Sequence, residues 1–139
     1  MKDTTYPLRK AYYSLISGLG YDCYDTKAPN SVNKPYIILG TQTSAEESTK
    51  NSFNMRCSIT LDIYAGFTDF YSSRKGLDLI VNNILTNLMT SPGQCSFTLT
   101  DFDIFATKKV IDNDFDPIVT DTQSIFRKII VIEHLLKQK

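Results

Sequence analysis

The chain has 139 residues, 42% of them apolar and 22% charged, which suits one globular domain spanning residues 1–139 and is too short for two hydrophobic cores. Fifteen lysines and arginines balance fifteen aspartates and glutamates, so no net charge draws the chain to nucleic acid or acidic lipid. No apolar run approaches the roughly 20 residues that cross a bilayer, and Met1-Lys2-Asp3-Thr4-Thr5 lacks a signal-peptide apolar stretch, so the expectation is a chain without a membrane partner that stays where it is synthesised.

From Pro7 to Leu19, the residues Leu8, Ala11, Tyr12, Leu15, Ile16 and Leu19 recur at the spacing of one helical face. Thr4 or Thr5 can cap this helix, Pro7 fits its first turn, and Gly18 with Gly20 stop it. A short strand near Tyr21 to Tyr24 follows, then a proline-bounded loop from Lys27 to Pro35 and a β-branched run, Tyr36-Ile37-Ile38-Leu39. The stretch from Thr41 to Asn51 is polar and reads as a hairpin carrying Glu46, Glu47 and Lys50.

A long alternating strand begins at Phe53. Met55, Cys57, Ile59, Leu61 and Ile63 share its parity, while Asn54, Arg56, Ser58, Thr60 and Asp62 take the other, so one side is buried and one wet. After a turn from Gly66 to Asp69, with Thr68 or Asp69 as cap, Leu77, Ile80, Val81, Ile84, Leu85 and Leu88 form a helical stripe ended by Ser91-Pro92-Gly93. Strand face and helix stripe are two halves of one core, each buried apolar side chain contributing roughly 1.5 to 3 kcal/mol.

Two extended segments follow, Cys95 to Lys109 and Thr120 to Leu136, separated by a polar loop from Ile111 to Pro117. Phe97 and Leu99 differ in parity from Phe102 and Ile104, which predicts a bulge or bend near Thr100-Asp101. The run from Phe126 to Ile132 is apolar on both parities, as in a central strand or one whose second face meets another subunit. The order of elements predicts an α+β fold: a mainly antiparallel sheet of four to five strands with two helices on one face.

The chemistry-bearing residues form no recognisable catalytic set. Cys23, Cys57 and Cys95 are odd in number and never in a C-x-x-C pair, so they read as reduced thiols and not as disulfides or zinc ligands. One histidine, His134, precludes a His-pair metal site and reads as a strand-end or surface residue. Asp112, Asp114 and Asp116 alternate like the start of a calcium loop, but Pro117 replaces the glycine and Gln123 the final glutamate, leaving a solvated acidic turn. Gly18-Leu19-Gly20 follows a helix and so is a helix stop, not a dinucleotide fingerprint.

Phe67, Phe70, Tyr71, Arg74 and Lys75 interleave aromatics with bases, yet without basic excess they read as a capping cluster. Catalytic residues, metal and cofactor are all expected to be none. The remaining enzymatic or ligand-binding alternative would use Asp101, Asp103 or His134 in a cleft.

The opening helix ending at Gly18 to Gly20, the Tyr21-Asp22 strand, Pro35-Tyr36-Ile37-Ile38-Leu39-Gly40, the polar stretch to Lys50, Ile59-Thr60-Leu61-Asp62-Ile63-Tyr64 and the helix from Ser73 to Leu88 together resemble the tail-terminator, or tail-completion, family of tailed bacteriophages. The resemblance covers most of the chain, apart from its last third. It implies a non-enzymatic virion subunit assembled in the host cytoplasm, forming a ring with itself, six-fold or possibly twelve-fold. Connector or portal-side and tail proteins would be its partners, and genomic DNA would pass through the lumen without specific binding. A head–tail adaptor, stopper or connector ring protein is the alternative within such particles. Candidate subunit contacts are the second face of Phe126, Lys128, Ile130 and Ile132, and the hairpin residues Glu46, Glu47 and Lys50.

Overall fold

The computed structural model describes residues 1–25, 35–67, 75–119 and 124–139. Its elements run α1 (Thr5–Gly18), β1 (Asp22–Tyr24), β2 (Tyr36–Glu46), β3 (Asn54–Phe67), α2 (Lys75–Leu88), β4 (Phe102–Asp114), β5 (Ile118–Val119) and β6 (Ser124–Gln138). The sheet order is β1-β2-β3-β6-β4, with the two-residue β5 also pairing with β6. Among the described residues only β1 against β2 is parallel. The fold is the expected α+β arrangement, and β5 is a short addition to the predicted four to five strands.

Helix α1 buries Leu8, Tyr12 and Ile16. Thr4 precedes it but does not cap it: its hydroxyl is turned inward, accepting from Cys57 Sγ at 3.2 Å and reaching Ser44 Oγ at 3.5 Å. Asp3 takes over the capping work, its Oδ1 accepting from the Thr5 amide and hydroxyl at 3.3 and 3.1 Å. At the other end Tyr21 N–H bonds to Ile16 O and Gly20 N–H to Ser17 O, with Gly20 at φ +91. That pairing is a Schellman stop, and it needs the left-handed conformation glycine supplies.

Strand β2 continues seven residues past the predicted end at Leu39, crossing a bulge between Leu39 and Gln42. Its polar half is polar because its side chains are largely exposed, while the backbone remains paired with β3. The parity of β3 is as predicted, with Met55, Cys57, Ile59, Leu61, Ile63 and Ala65 buried, although Phe53 lies ahead of the strand and is exposed. Leu77, Ile80, Val81, Ile84 and Leu88 of α2 bury against the same face. The predicted caps Thr68 and Asp69, and Phe70, Tyr71 and Arg74, lie outside the described residues.

The segment from Cys95 to Asp101 is irregular, not strand, and β4 starts at Phe102, where the parity changes. Phe97 and Leu99 still pack on the core, which is why an apolar pattern alone made them look like strand residues. The bulges of β4 fall between Ile104 and Ala106 and between Lys109 and Ile111. Ile111 to Asp114, expected in a loop, extend β4. Their acids are compatible with a strand because Lys128 Nζ pairs with Asp112 at 3.0 Å and Asp114 at 3.8 Å, and Lys109 Nζ with Asp112 at 2.7 Å. Burial raises the Asp112 pKa, but hydrogen bonds from Lys109 and Lys128 outweigh it and hold the carboxyl below its ordinary value.

Candidate interaction surface

His134 is fully buried, contrary to the surface position expected from its place near the strand end. Its Nε2 lies 2.5 Å from the Tyr12 hydroxyl and its Nδ1 2.8 Å from Thr107 Oγ1. Burial pushes its pKa down to about 4 and pushes that of Tyr12 up. Even parity along β6 places this residue on the helix-covered face, and β6 continues beyond it to Gln138. Asp101 instead pairs with Lys2 at 3.0 Å and Asp103 with Lys139 at 3.9 Å, both at the surface. The three residues of the enzymatic alternative therefore do not converge.

The open groove between α1 and the segment from Ser96 to Asp101 encloses about 620 Å³ and is lined by Tyr6, Lys10, Leu15, Phe97 and Leu99 among others. Its polar lining residues, Lys10, Ser14, Ser96, Thr98, Thr100 and Asp101, border an open surface groove, and Asp101 is engaged by Lys2. Among the described residues no group of three or more His, Cys, Asp or Glu could hold a metal, and no helix is long and apolar enough to cross a membrane.

The opposite face of the sheet carries neither helix. On β6 it presents Ile125, Arg127, Ile129, Val131 and Leu135, all half-buried, between Tyr64, Asp62, Thr60 and Arg56 of β3 and the residues of β4. None of the β6 residues expected as subunit contacts lies on this face. Phe126, Ile130 and Ile132 are buried in the helix-covered core, and Lys128 shares their parity and is held by Asp112 and Asp114. Glu46, Glu47 and Lys50 are exposed at the β2–β3 hairpin as expected.

An aromatic ladder crosses this second face. Tyr24 meets Tyr36 edge-on at 6.0 Å, Tyr36 stacks on Tyr64 at 4.9 Å, and the Arg127 guanidinium lies over Tyr64 at 5.3 Å and Phe115 at 4.7 Å. Arg127 forks onto both oxygens of Asp62 at 2.9 Å, and Tyr64 donates to the same carboxylate at 3.1 Å. Burial and then the neighbouring Asp62 push the Tyr64 phenol up to about 12. Cross-strand contacts of this type stabilise the pairing of the strands that carry them.

A second line of side chains crosses from edge to edge and alternates in sign. Glu47 beside β2 accepts from Arg56 Nε at 2.8 Å, Arg56 Nη1 donates to Glu133 Oε1 at 2.7 Å, and Lys108 Nζ of β4 lies 3.6 Å from the same oxygen. The hydrogen bond from Arg56 lowers the Glu47 pKa. Glu47 and Lys108 terminate this row, with side chains 46% and 65% exposed. The sequence shows each charge but not that three strands and the end of the β2–β3 hairpin bring them into one row.

The β4 edge also exposes apolar surface. Phe105 and Val110 are the residues displaced at its two bulges, 62% and 42% exposed, and Ile111 beside them is 51% exposed. Ile118 and Val119 of β5 are exposed as well. Bulges re-aim side chains, and both displaced ones are large and apolar.

No family model matches the chain, and no curated protein matches it. Among solved structures it is similar to a chain of the virion of a native gene transfer agent particle. The two share a TM-score of 0.64 at 15% identity, over 88% of this chain and 84% of that one. At that identity the likeness is one of fold.

Proposed function

We propose that this chain is a structural protein of a tailed, phage-like particle, a tail-terminator-type subunit that assembles with itself into a ring where head and tail meet. The observation that carries the reading is the likeness of fold to a chain of a gene transfer agent virion, extending over most of both chains. Two further features support it. One sheet face is clad by helices while the other presents half-buried isoleucine, valine and leucine beside ordered charges, a composition suited to contact with other proteins. The buried histidine is satisfied by Tyr12 and Thr107, and the Cys95 thiol beside Thr107 is pushed above its ordinary pKa by burial and so kept from its nucleophilic form, so no reaction is assigned.

In this reading the subunit contacts two neighbours of its own kind in a ring, most simply of six, a connector-side protein on one rim and a tail protein on the other. DNA passes through the lumen. A near-neutral subunit tolerates this passage because few phosphates are held electrostatically. Deleting the gene tests it: particles with unattached or unterminated tails are expected, restored by supplying the protein. Particles that assemble normally without it would refute the reading.

A further inference from the structure

We propose, building on the ring reading, that neighbouring copies join finger to groove: the β5 end of one copy, carrying Ile118 and Val119, seats between α1 and the segment from Ser96 to Asp101 of the next. The occupant of the groove is thus a second copy of this chain.

The finger is apolar on both sides. Ile118 lies opposite Ile125 and Val119 opposite Ser124, so their side chains leave opposite faces of the strand, and they are 57% and 65% exposed. Among the described residues β5 pairs with β6 alone, and just ahead of it the Phe115 amide donates to Arg127 O. The backbone is held while the side chains stand uncovered, so docking costs little ordering. Single exposed aliphatic residues are ordinary. Two in succession, pointing opposite ways from a paired strand, fit a partner with two apolar walls.

The groove has two such walls. Pro7, Ala11 and Leu15 line the α1 side and Phe97 and Leu99 the other, around about 620 Å³. Ala11, Leu15, Phe97 and Leu99 are backed by the core. Pockets that take a compact ligand span roughly 300 to 1,000 Å³, so a two-residue tip has room.

The rims are complementary in charge. Lys10 borders the groove, and Asp116 precedes the finger by two positions. Both are exposed, and neither has an ion pair among the described residues. The nearby Asp101 is held by Lys2, and Asp112 by Lys109 and Lys128, so Lys10 and Asp116 are the charges left to meet. Such a rim pair adds little affinity but orients the approach.

Finger and groove cannot meet within one copy. Strand β6 runs from Ser124, opposite Val119, to Gln138, opposite Phe102, and the groove wall ends at Asp101, whose carbonyl accepts from the Lys139 amide. At roughly 3.3 Å per residue, the two features lie about 45 Å apart along the strand. A contact between two different surfaces is heterologous and generates a ring when its rotation closes.

The test uses full-length protein in two variants at exposed positions, measured by native mass and sedimentation over a range of concentrations. Ile118→Ser with Val119→Ser blunts the finger and leaves the groove intact, whereas Ser14→Arg fills the groove and leaves the finger intact. Each variant alone should need at least about tenfold more protein than wild type to associate. Mixed, they retain one working finger and one working groove, so a 1:1 pair and nothing larger is expected at concentrations where each alone is monomeric. A mixture that stays monomeric while wild type assembles would overturn the proposal. Variants that assemble as wild type does overturn it too and leave the ring reading standing, whereas wild-type protein that stays monomeric throughout overturns both.

Discussion

The hydroxyl of Tyr12 in α1 stands 2.5 Å from Nε2 of His134 in β6, joining the first helix to the last strand across 122 positions of sequence. Thr107 Oγ1 from β4 holds the other ring nitrogen at 2.8 Å, and Phe97 packs edge-on against Tyr12 at 5.2 Å. Buried polar groups are stabilising only when paired. This contact satisfies both partners in the middle of an otherwise apolar layer, and it ties α1 over β6 in one position.

The histidine gives the fold an acid sensitivity of defined sign. Its folded pKa of about 4 lies below the ordinary 6.5, so the unfolded chain binds the proton first as pH falls. Stability from keeping the ring neutral is complete above pH 6.5 and is lost as pH drops toward 4. Urea titrations should show a loss of about 2 kcal/mol between pH 7 and pH 5 by proton linkage. His134 is the sole histidine, so His134→Asn should flatten that interval even while lowering stability. A wild-type protein equally stable at both pH values would rule out the buried neutral ring.

Replacing Tyr12 by Phe keeps the ring packing but removes the hydroxyl facing Nε2. The cost should be about 1 to 3 kcal/mol, that of one buried group left without its partner, read as a lower urea midpoint with an unchanged slope. A change within a few tenths of a kcal/mol would mean that water or another group replaces the hydroxyl.

Arg9 should be a fastening point between α1 and the edge of the sheet. Its guanidinium donates to Asp25 Oδ1 and O at 2.6 Å, to Leu39 O at 2.5 Å and to Gly40 O at 2.8 Å. Arg9→Met removes these donors from carbonyls near the β2 bulge, and a loss of about 2 kcal/mol is expected, with Arg9→Lys recovering only part because one ammonium cannot span the fork. Amide exchange should quicken in β1 before the rest of the sheet, and uniform protection across β1 in Arg9→Met would contradict the assignment.

Gly20→Ala isolates a backbone effect. A Cβ at Gly20 meets nothing within 4 Å, yet φ is +91. The expected penalty of about 1 kcal/mol comes from the left-handed backbone alone. Thermal unfolding that matches wild type would show that the helix stop tolerates another conformation.

The sequence made the core legible because its signals are periodic. The alternation from Met55 to Ile63 and the stripe from Leu77 to Leu88 both report the burial of one face, and both elements stand as read. Polar strands were harder: Thr41 to Glu46 and Ile111 to Asp114 look like loops because their side chains face water or lysines, whereas backbone pairing leaves no mark on side-chain type. On β6 the apolar residues occupy both parities, so the pattern cannot say which set meets the helices. Phe126, Ile130 and Ile132, expected as contacts, instead lie buried under the helices, and Ile125, Ile129 and Val131 lie on the helix-free face. Long-range relations such as the Glu47 to Lys108 row depend on sheet order, which no local pattern encodes.

The most direct measurement of the proposed function is a reconstruction of any tailed particle assembled in cells that carry this gene. The expected result is a closed ring of copies between head and tail, each contributing its helix-free sheet face to protein contacts. A complete particle with joined head and tail and no density for this chain would contradict it.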